Sequence, residues 1–254
     1  MEVAERVLGS YDPVILRLSG AGADVVIASP KFFVSLLRDT LTGWTFALTS
    51  DPKIDVWLSY SANRYEIDSV VQKKPFVYED MMDALNETFL NICYVIASKI
   101  SDTVLIHSAA YRSGKSINLL VGEKGSGKST QTANKAIDGC QIFADDLVLY
   151  LPKEGQFQAL GLPIRLRRPI SQDLSALANK DIMIPGRRIA YSRNGAFNIA
   201  PAGQKFIVTN VIEISAGGGG KPIPLISIPR TIAKFKISES YTTITKPPLD
   251  RASL

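Results

Sequence analysis

The sequence is poor in the side chains that build zinc sites and disulfide frameworks. Its 254 residues include two cysteines, Cys93 and Cys140, and a single histidine. Both cysteines lie in apolar stretches without a Cys-x-x-Cys spacing, which argues strongly against a zinc site of cysteine and histidine ligands. Buried free thiols in a reducing compartment are the expectation for this pattern.

Long apolar runs and dense basic runs are also missing. No stretch approaches the roughly 18 apolar residues of a membrane-spanning helix, and residues 1–6 (MEVAER) do not resemble a signal peptide. The net charge of +5 comes from scattered residues and forms no nucleic-acid-binding footprint. It suits a protein that handles phosphates or an acidic peptide, although a solvated basic surface is the simpler explanation. We predict a cytoplasmic protein with no membrane and no nucleic-acid partner.

The remaining composition is that of an ordinary globular protein, with 46% apolar and 21% charged residues. The length allows a catalytic domain of about 130–150 residues with a smaller companion. We divide the chain into three parts. Residues 1–101 are an N-terminal α+β region that is a candidate for acceptor recognition, residues 102–236 are a catalytic domain, and residues 237–254 are a loosely ordered tail.

Periodic patterns predict an α/β fold. Five apolar residues recur at steps of three and four and predict a helix over residues 78–100: Met82, Leu85, Phe89, Ile92 and Ile96. Shorter helices are predicted at residues 30–41, 128–138 and 171–179. From residue 103 onward, apolar runs bounded by turn residues predict strands at residues 103–110, 116–121, 141–144, 147–151 and 206–215.

Residues 122–130 (GEKGSGKST) match the pattern G-x-x-x-x-G-K-[ST] in full, with a predicted strand before them and a predicted helix after them. Small residues let successive backbone N–H groups converge on phosphates, and the helix N-terminus adds its positive dipole end. Lys128 would reach the outer phosphates of a nucleotide, and Ser129 would bind Mg²⁺. The predicted nucleotide-binding residues are Gly122, Glu123, Lys124, Gly125, Ser126, Gly127, Lys128, Ser129 and Thr130.

The acid pair Asp145-Asp146 follows a short apolar segment, 17 residues after Lys128. A carboxylate at a strand end beside a P-loop can help to hold Mg²⁺ or accept a proton from an attacking hydroxyl. Adjacent aspartates are also common in turns, where they bind backbone N–H groups. The neighbouring P-loop makes the functional interpretation the stronger one.

Three further groups are weaker candidates. His107 lies within an apolar segment, where a histidine buried in the core is the simpler explanation. Arg165 and Arg167 alternate along an extended segment and are candidates for binding phosphate or acceptor. A predicted loop that covers the nucleotide or faces water contains Arg187, Arg188 and Arg193.

Taken in order, His107, the loop at residues 122–130 and Asp145-Asp146 resemble the catalytic domain of HPr kinase/phosphorylase and its compact relatives. His107 precedes Lys128 by 21 residues, and this interval is similar to that of the family. The resemblance covers about residues 103–170, and strand pattern extends it to about residue 235.

The resemblance implies a P-loop kinase core with a mixed sheet, of the type shared by HPr kinase and phosphoenolpyruvate carboxykinase. It implies that Asp145 is the base toward the acceptor hydroxyl, that Ser129 and Asp146 bind Mg²⁺, and that Lys128 binds the ATP phosphates. His107 would then lie near the transferred group. The family assembles as hexamers, so the resemblance also implies a homo-oligomer.

The sequence departs from the bifunctional enzymes in two places. Thr130 stands where HPr kinases carry Glu, and residues 184–189 (IPGRRI) replace the family's Glu-Arg-Gly segment without its acid. In these departures the chain resembles the smaller HPr kinase-like proteins of peptide-modification systems, including kinases that phosphorylate a serine of lasso precursor peptides. HPr is therefore not the expected substrate.

Three functions are compatible with the motifs. The first is an ATP- and Mg²⁺-dependent kinase acting on a serine of a peptide or small protein. The second is a P-loop ATPase without a kinase substrate, although the Asn-Lys-x-Asp and Leu-Ser-Gly-Gly-Gln signatures of GTPases and transporter ATPases are absent from the sequence. The third is a nucleotide-dependent binding module or pseudokinase.

Overall fold

The computed structural model describes residues 13–170, 172–215, 220–223 and 249–250. This part of the chain divides into two units. The N-terminal unit comprises residues 13–39, 44–101 and 249–250, and the P-loop unit comprises residues 40–43 and the rest of the described chain from residue 102. The protein is an α/β protein with mixed sheets and, among its described residues, three α-helices.

The N-terminal unit contains a six-stranded sheet of order β3-β1-β2-β5-β6-β7. Only the pair β2–β5 is parallel in this sheet. The elements are β1 (Val14–Ser19), β2 (Val25–Ser29), α1 (Lys31–Arg38), β3 (Thr45–Leu48), β4 (Lys53–Ile54), β5 (Val56–Ser61), β6 (Arg64–Ser69), β7 (Phe76–Tyr78) and α2 (Met81–Lys99).

The long helix predicted from apolar periodicity is confirmed as α2. Its first turn is capped by the Asp80 side chain, which accepts hydrogen bonds from the backbone N–H groups of Met82 and Asp83. The apolar stripe is buried, with each of its five residues 4% exposed or less. Cys93 is buried on the same helix, and Cys140, expected to be buried, is half-buried; both are free thiols.

The P-loop unit contains three sheets, of order β11-β9-β10-β18-β19, β17-β13-β12-β8 and β14-β16-β15. Its elements are β8 (Val104–His107), β9 (Ala109–Ser113), β10 (Ser116–Val121), α3 (Lys128–Ile137), β11 (Ile142–Ala144), β12 (Leu147–Leu151), β13 (Gln156–Gln158), β14 (Arg165–Arg167), a 3₁₀ helix (Gln172–Ala178), β15 (Met183–Pro185), β16 (Ile189–Ser192), β17 (Lys205–Phe206), β18 (Asn210–Ile214) and β19 (Gly220–Ile223). A last strand, β20 (Leu249–Asp250), pairs with β4 of the N-terminal unit.

The five-stranded sheet is the central layer of the P-loop unit. Successive side chains of a strand point to opposite faces, and β10 accordingly sends Leu119 and Val121 into one core and Leu120 into another. The first core packs this sheet against the four-stranded sheet through Val148 and Phe157. The second core packs it against α3, the three-stranded sheet and the 3₁₀ helix.

The predicted strand at residues 103–110 is wrong as a single element. It breaks at Ser108: β8 belongs to the four-stranded sheet and β9 to the five-stranded sheet. The chain returns from the five-stranded to the four-stranded sheet between β11 and β12, at Asp145-Asp146. The two steps lie side by side, because Leu147 pairs with His107 and the Ser108 N–H donates to the Asp146 carbonyl oxygen at 3.1 Å.

Two other predicted elements also differ from the structure. The strand expected at residues 206–215 is interrupted between β17 and β18, where Ile207 is 61% exposed. The helix expected at residues 171–179 is a 3₁₀ helix with a kink at Leu174. The predicted loose tail at residues 237–254 lies outside the described residues except for β20. No helix of the described chain is both long and apolar enough to cross a membrane.

Candidate functional site

The loop at residues 122–127, called the phosphate loop after the sequence pattern that it matches, connects the end of β10 with the start of α3. Gly127 caps the helix with φ of 101°, a left-handed conformation that favours glycine. Gly122 begins the loop against β18, where a Cβ atom would overlap the carbonyl oxygen of Ile214 and lie 2.8 Å from the Ser126 hydroxyl oxygen. Glycine at these two positions therefore lets the loop pack against β18 and turn into α3 without steric overlap.

Lys128 is the first residue of α3 and is 5% exposed. Its ammonium group donates to the carbonyl oxygens of Gly122 at 2.7 Å and Glu123 at 3.1 Å. Burial lowers the pKa of Lys128, while the charges of Asp146 and Asp145 act in the opposite direction. The ammonium group thus lies inside the loop, where phosphate oxygens can replace the two carbonyl groups as its partners.

Asp146 lies between β11 and β12, where the side chains of His107 and Arg165 contact its carboxylate. Its Oδ1 accepts from His107 Nε2 and from Arg165 Nη2, both at 3.0 Å. Burial raises the pKa of this carboxyl, but the hydrogen bond from His107 and the charge of Arg165 outweigh that effect, so the pKa lies below its usual value. Asp146 is therefore ionised and oriented.

Asp145 is more deeply buried than Asp146 and is 1% exposed. Its Oδ2 accepts from the backbone N–H of Arg165 at 2.9 Å, whereas Oδ1 is buried and makes no hydrogen bond of normal geometry with any described residue. Burial raises the pKa of Asp145 to about 6, against the lowering effects of the Arg165 N–H and the nearby Ser129 hydroxyl. One buried carboxylate oxygen beside the P-loop serine is thus left for a ligand.

Arg165 connects the two aspartates, with its backbone on Asp145 and its side chain on Asp146. Tyr191 lies opposite Arg165 in the register of β14 and β16, is 2% exposed, and is hydrogen-bonded through its side chain to Arg165. Burial raises the pKa of Tyr191, so its phenol is neutral. The result is a chain of contacts from Tyr191 through Arg165 and Asp146 to His107.

A cavity of about 300 Å³ lies over the loop and the N-terminus of α3, which is within the size range of small-ligand sites. Most of the residues predicted from the sequence line it: His107, Lys124, Gly125, Gly127, Lys128, Ser129, Thr130, Asp146, Arg165 and Arg167. Its apolar wall is formed by Leu166, Pro169, Ile170 and Leu174. Four of the predicted residues are not part of the lining: Gly122, Glu123, Ser126 and Asp145.

The donor set fits a magnesium ion that is shared with a nucleotide. Within the described ranges, no group of three or more His, Cys, Asp or Glu residues could hold a metal by itself. Mg²⁺ is commonly bound by one or two protein oxygens together with water and substrate phosphates. The orphaned Oδ1 of Asp145 and the adjacent Ser129 hydroxyl match that pattern.

Sequence reasoning missed Tyr191 and the apolar wall. Tyr191 lies 26 residues beyond Arg165 and meets it only through the pairing of β14 with β16, so no local motif marks it. The wall residues of the 3₁₀ helix and the preceding turn read as ordinary core. The described part of the chain also contains Arg187 and Arg188, which do not line the cavity.

No protein-family model matches the chain, and none of the curated proteins compared with it is significantly similar. The geometry of the site is therefore what supports a function for this chain.

Proposed function

We propose that the chain is an ATP- and Mg²⁺-dependent kinase that transfers the γ-phosphoryl group to a serine hydroxyl of a precursor peptide or small protein. In this proposal the P-loop unit is a P-loop kinase core of the HPr kinase type. Its place of action is the cytoplasm, where ATP is available.

The observation that supports this proposal is the convergence of three separate segments on one cavity. The phosphate loop contributes Lys128 and Ser129, the step between the sheets contributes His107 and Asp146, and β14 contributes Arg165. A loop that binds phosphates without an oriented carboxylate suits a binding module. A carboxylate held by a histidine and an arginine at the same cavity suits transfer to an acceptor, because phosphoryl transfer depends on positioning and charge neutralisation.

The geometry favours an exchange of the two aspartate roles that the family resemblance implies. Asp146 lines the cavity beside His107 and is the better placed group to accept the proton of the acceptor hydroxyl. Asp145 is buried beside Ser129. Asp145 and Ser129 would hold Mg²⁺, which neutralises charge on the β- and γ-phosphates when bound.

The remaining residues orient the reactants. Lys128 and the loop N–H groups bind the β- and γ-phosphates, and Arg165 binds the γ-phosphoryl oxygens while it keeps Asp146 in place. The serine oxygen forms a bond to the γ-phosphorus as the bond to the β–γ bridging oxygen breaks. The bond electrons leave with ADP, and the serine proton passes to Asp146 Oδ2, since Oδ1 is held by His107 and Arg165.

The proposal is tested by measuring ADP formation from Mg·ATP with and without a pool of serine-containing peptides. We expect the peptides to stimulate ADP formation by the wild-type protein, and Lys128→Ala and Asp146→Asn to lower the rate on the order of 10²–10⁴-fold. Lys115→Glu, an exposed change at the opposite end of β10, is the control. ADP formation that is indifferent to peptides would favour the ATPase.

A further inference from the structure

Basic residues are concentrated in one stretch of the P-loop unit. Residues 165–193 contain seven Lys and Arg against two Asp, a net charge of +5 that equals the net charge of the whole chain. The rest of the protein is therefore electrically balanced. This asymmetry is hidden in the sequence, because the basic residues are separated by apolar core positions.

Strand register brings four of these arginines to one end of the three-stranded sheet. Arg167 pairs with Ile189, and the Arg168 N–H donates to the Arg188 carbonyl oxygen at 2.8 Å. Arg187 and Arg188 are the central residues of the tight turn between β15 and β16. The turn is closed by a hydrogen bond that the Gly186 N–H donates to the Ile189 carbonyl oxygen at 2.8 Å. All four arginines are exposed. We call Arg167, Arg168, Arg187 and Arg188 the basic rim.

Within the basic rim, Arg168 has a structural task. The Arg168 side chain donates from Nη1 to the Gly186 carbonyl oxygen at 3.1 Å and thereby ties the turn to β14. Arg187 and Arg188 occupy the tip of that turn. Neither has a positive φ, so the tip tolerates substitution without backbone strain.

The basic rim continues directly from the candidate site. Arg165 and Arg167 both line the cavity from the same strand. A strand rises about 3.3 Å per residue, so the tip of the turn lies roughly 10–15 Å from Arg165 along the sheet. An extended peptide covers that distance in about three to five residues.

We propose that the basic rim selects acceptor segments with acidic residues about three to five positions from the phosphorylated serine. This inference rests on the proposed kinase function and names its substrate class. A neutral segment gains nothing from the rim, whereas each Asp or Glu of an acidic segment can form charge-assisted hydrogen bonds with guanidinium groups. The nucleotide does not need Arg187 and Arg188, which do not line the cavity, because Lys128, Arg165 and the α3 N-terminus already face its phosphates.

The test uses a peptide set in which a single central serine is flanked by Ala, Gly and Asn, with Glu, Gln or Lys placed at one position at a time. We expect the wild-type protein with Mg·ATP to phosphorylate the Glu peptides with a kcat/KM about 5- to 20-fold above the matched Gln peptides at the favoured positions, and Lys peptides more slowly still. Raising the salt from about 0.05 M to about 0.5 M should remove most of this preference.

The variant Arg187→Glu/Arg188→Glu should lose the preference for Glu and gain one for Lys at the same positions. Its affinity for Mg·ATP should stay within about 2-fold of wild type, since Arg187 and Arg188 do not line the cavity. The matched control is Lys115→Glu/Lys153→Glu. It makes the same change of charge at exposed positions of the same unit, about 20 Å along β10 and β12 from the loop and the acid pair.

The outcomes separate the inference from the function it rests on. Equal phosphorylation of the Glu, Gln and Lys peptides would contradict selection by the basic rim but would still support the proposed kinase function. A preference for Glu that persists in Arg187→Glu/Arg188→Glu would do the same, because the selection would then lie elsewhere. Failure of the wild-type protein to phosphorylate any peptide, despite binding Mg·ATP, would contradict the peptide kinase and the rim together.

Discussion

At the scale of single residues, Asp145 shows a conflict between stability and ligand binding. Its carboxyl is 1% exposed, and one of its oxygens makes no hydrogen bond of normal geometry with any described residue. Burying such a group raises the free energy of its ionised form unless a ligand compensates. We therefore expect a ligand-free protein that is less stable at neutral pH than it would be with a neutral side chain at this position.

This expectation has a definite sign in pH. The folded-state pKa of about 6 lies above the ordinary aspartate pKa of 3.8, so between these values the folded protein binds more protons than the unfolded chain. The contribution of Asp145 to the free energy of unfolding is greatest below about pH 4 and falls by roughly 2–3 kcal/mol as the pH rises through 6. Urea unfolding of the ligand-free protein at a series of pH values measures it.

Asp145→Asn should remove this slope and stabilise the ligand-free protein at pH 7 by about 1–2 kcal/mol, because the amide keeps the hydrogen bond from the Arg165 N–H without the buried charge. The same variant should lose the stimulation of nucleotide binding by Mg²⁺. A less stable Asp145→Asn protein, or one that keeps the full Mg²⁺ dependence, would refute this role for Asp145.

Tyr191 is expected to act through Arg165. Tyr191→Phe removes one hydrogen bond from a guanidinium group that lines the cavity, and we expect kcat to fall about 5- to 20-fold with little change in the KM for ATP. In an Arg165→Met background the same change should have no further effect on kcat. Steady-state kinetics of the two single variants and the double variant measure this coupling.

The control for Tyr191 is Tyr111→Phe. Tyr111 is also buried, at 5% exposed, and its hydroxyl bonds Gln131 rather than the acid pair. It should lose a similar amount of stability and keep a near wild-type kcat. Equal losses of kcat in both tyrosine variants, or full additivity with Arg165→Met, would reduce Tyr191 to a structural role.

At the scale of elements, the succession of β10, the phosphate loop and α3 could be predicted from the sequence. An apolar run, a glycine-rich loop and a helix N-terminus are consecutive in the chain, so local pattern defines them. The break at Ser108 could not be predicted in this way. Both sides of it are apolar, and the change of partner from β12 to β10 depends on segments that are distant in sequence.

The same distinction between local pattern and long-range pairing applies to the residues of the cavity. The residues of the loop and the acid pair were predicted because each lies in a local motif, whereas the contact of Tyr191 with Arg165 and the clustering of the basic rim arise from strand register. The register of β14 depends on its long-range pairing with β16, whereas β15 and β16 pair locally across their turn. The sequence likewise cannot distinguish the roles of Asp145 and Asp146, because the two aspartates differ in burial and in hydrogen-bond partners, which only the structure shows.

The packing of Gly122 against β18 predicts a severe effect of a single methyl group. Gly122→Ala would push the loop away from the Ile214 carbonyl oxygen, and we expect the affinity for Mg·ATP to fall at least about 10-fold, with a loss of stability of about 1–3 kcal/mol. Titration calorimetry measures the affinity. Gly155→Ala is the matched control, since Gly155 has φ of +64° but no atom within 4 Å of an added Cβ. Unchanged binding by Gly122→Ala would mean that the loop does not hold the nucleotide as described.

At the scale of the whole molecule, every element of the candidate site belongs to the P-loop unit. A ligand that binds only the folded site stabilises the elements that form it. We expect Mg·ATP to slow amide hydrogen exchange at residues 116–137, 142–147 and 164–168, which form the loop, its helix, the acid pair and β14. Exchange followed by mass spectrometry measures this, and Lys128→Ala supplies the control. Protection confined to the N-terminal unit would place the nucleotide elsewhere.

We propose that one cavity both binds ATP and directs its terminal phosphate to a serine. The most direct test follows the label of γ-labelled ATP in reactions that contain Mg²⁺ and serine peptides, with the wild-type protein and with Asp146→Asn. We expect the wild-type protein to transfer label to the serine oxygen of a peptide, and Asp146→Asn to bind ATP but transfer almost none. Label found only as free phosphate, or transfer that persists in Asp146→Asn, would contradict this proposal.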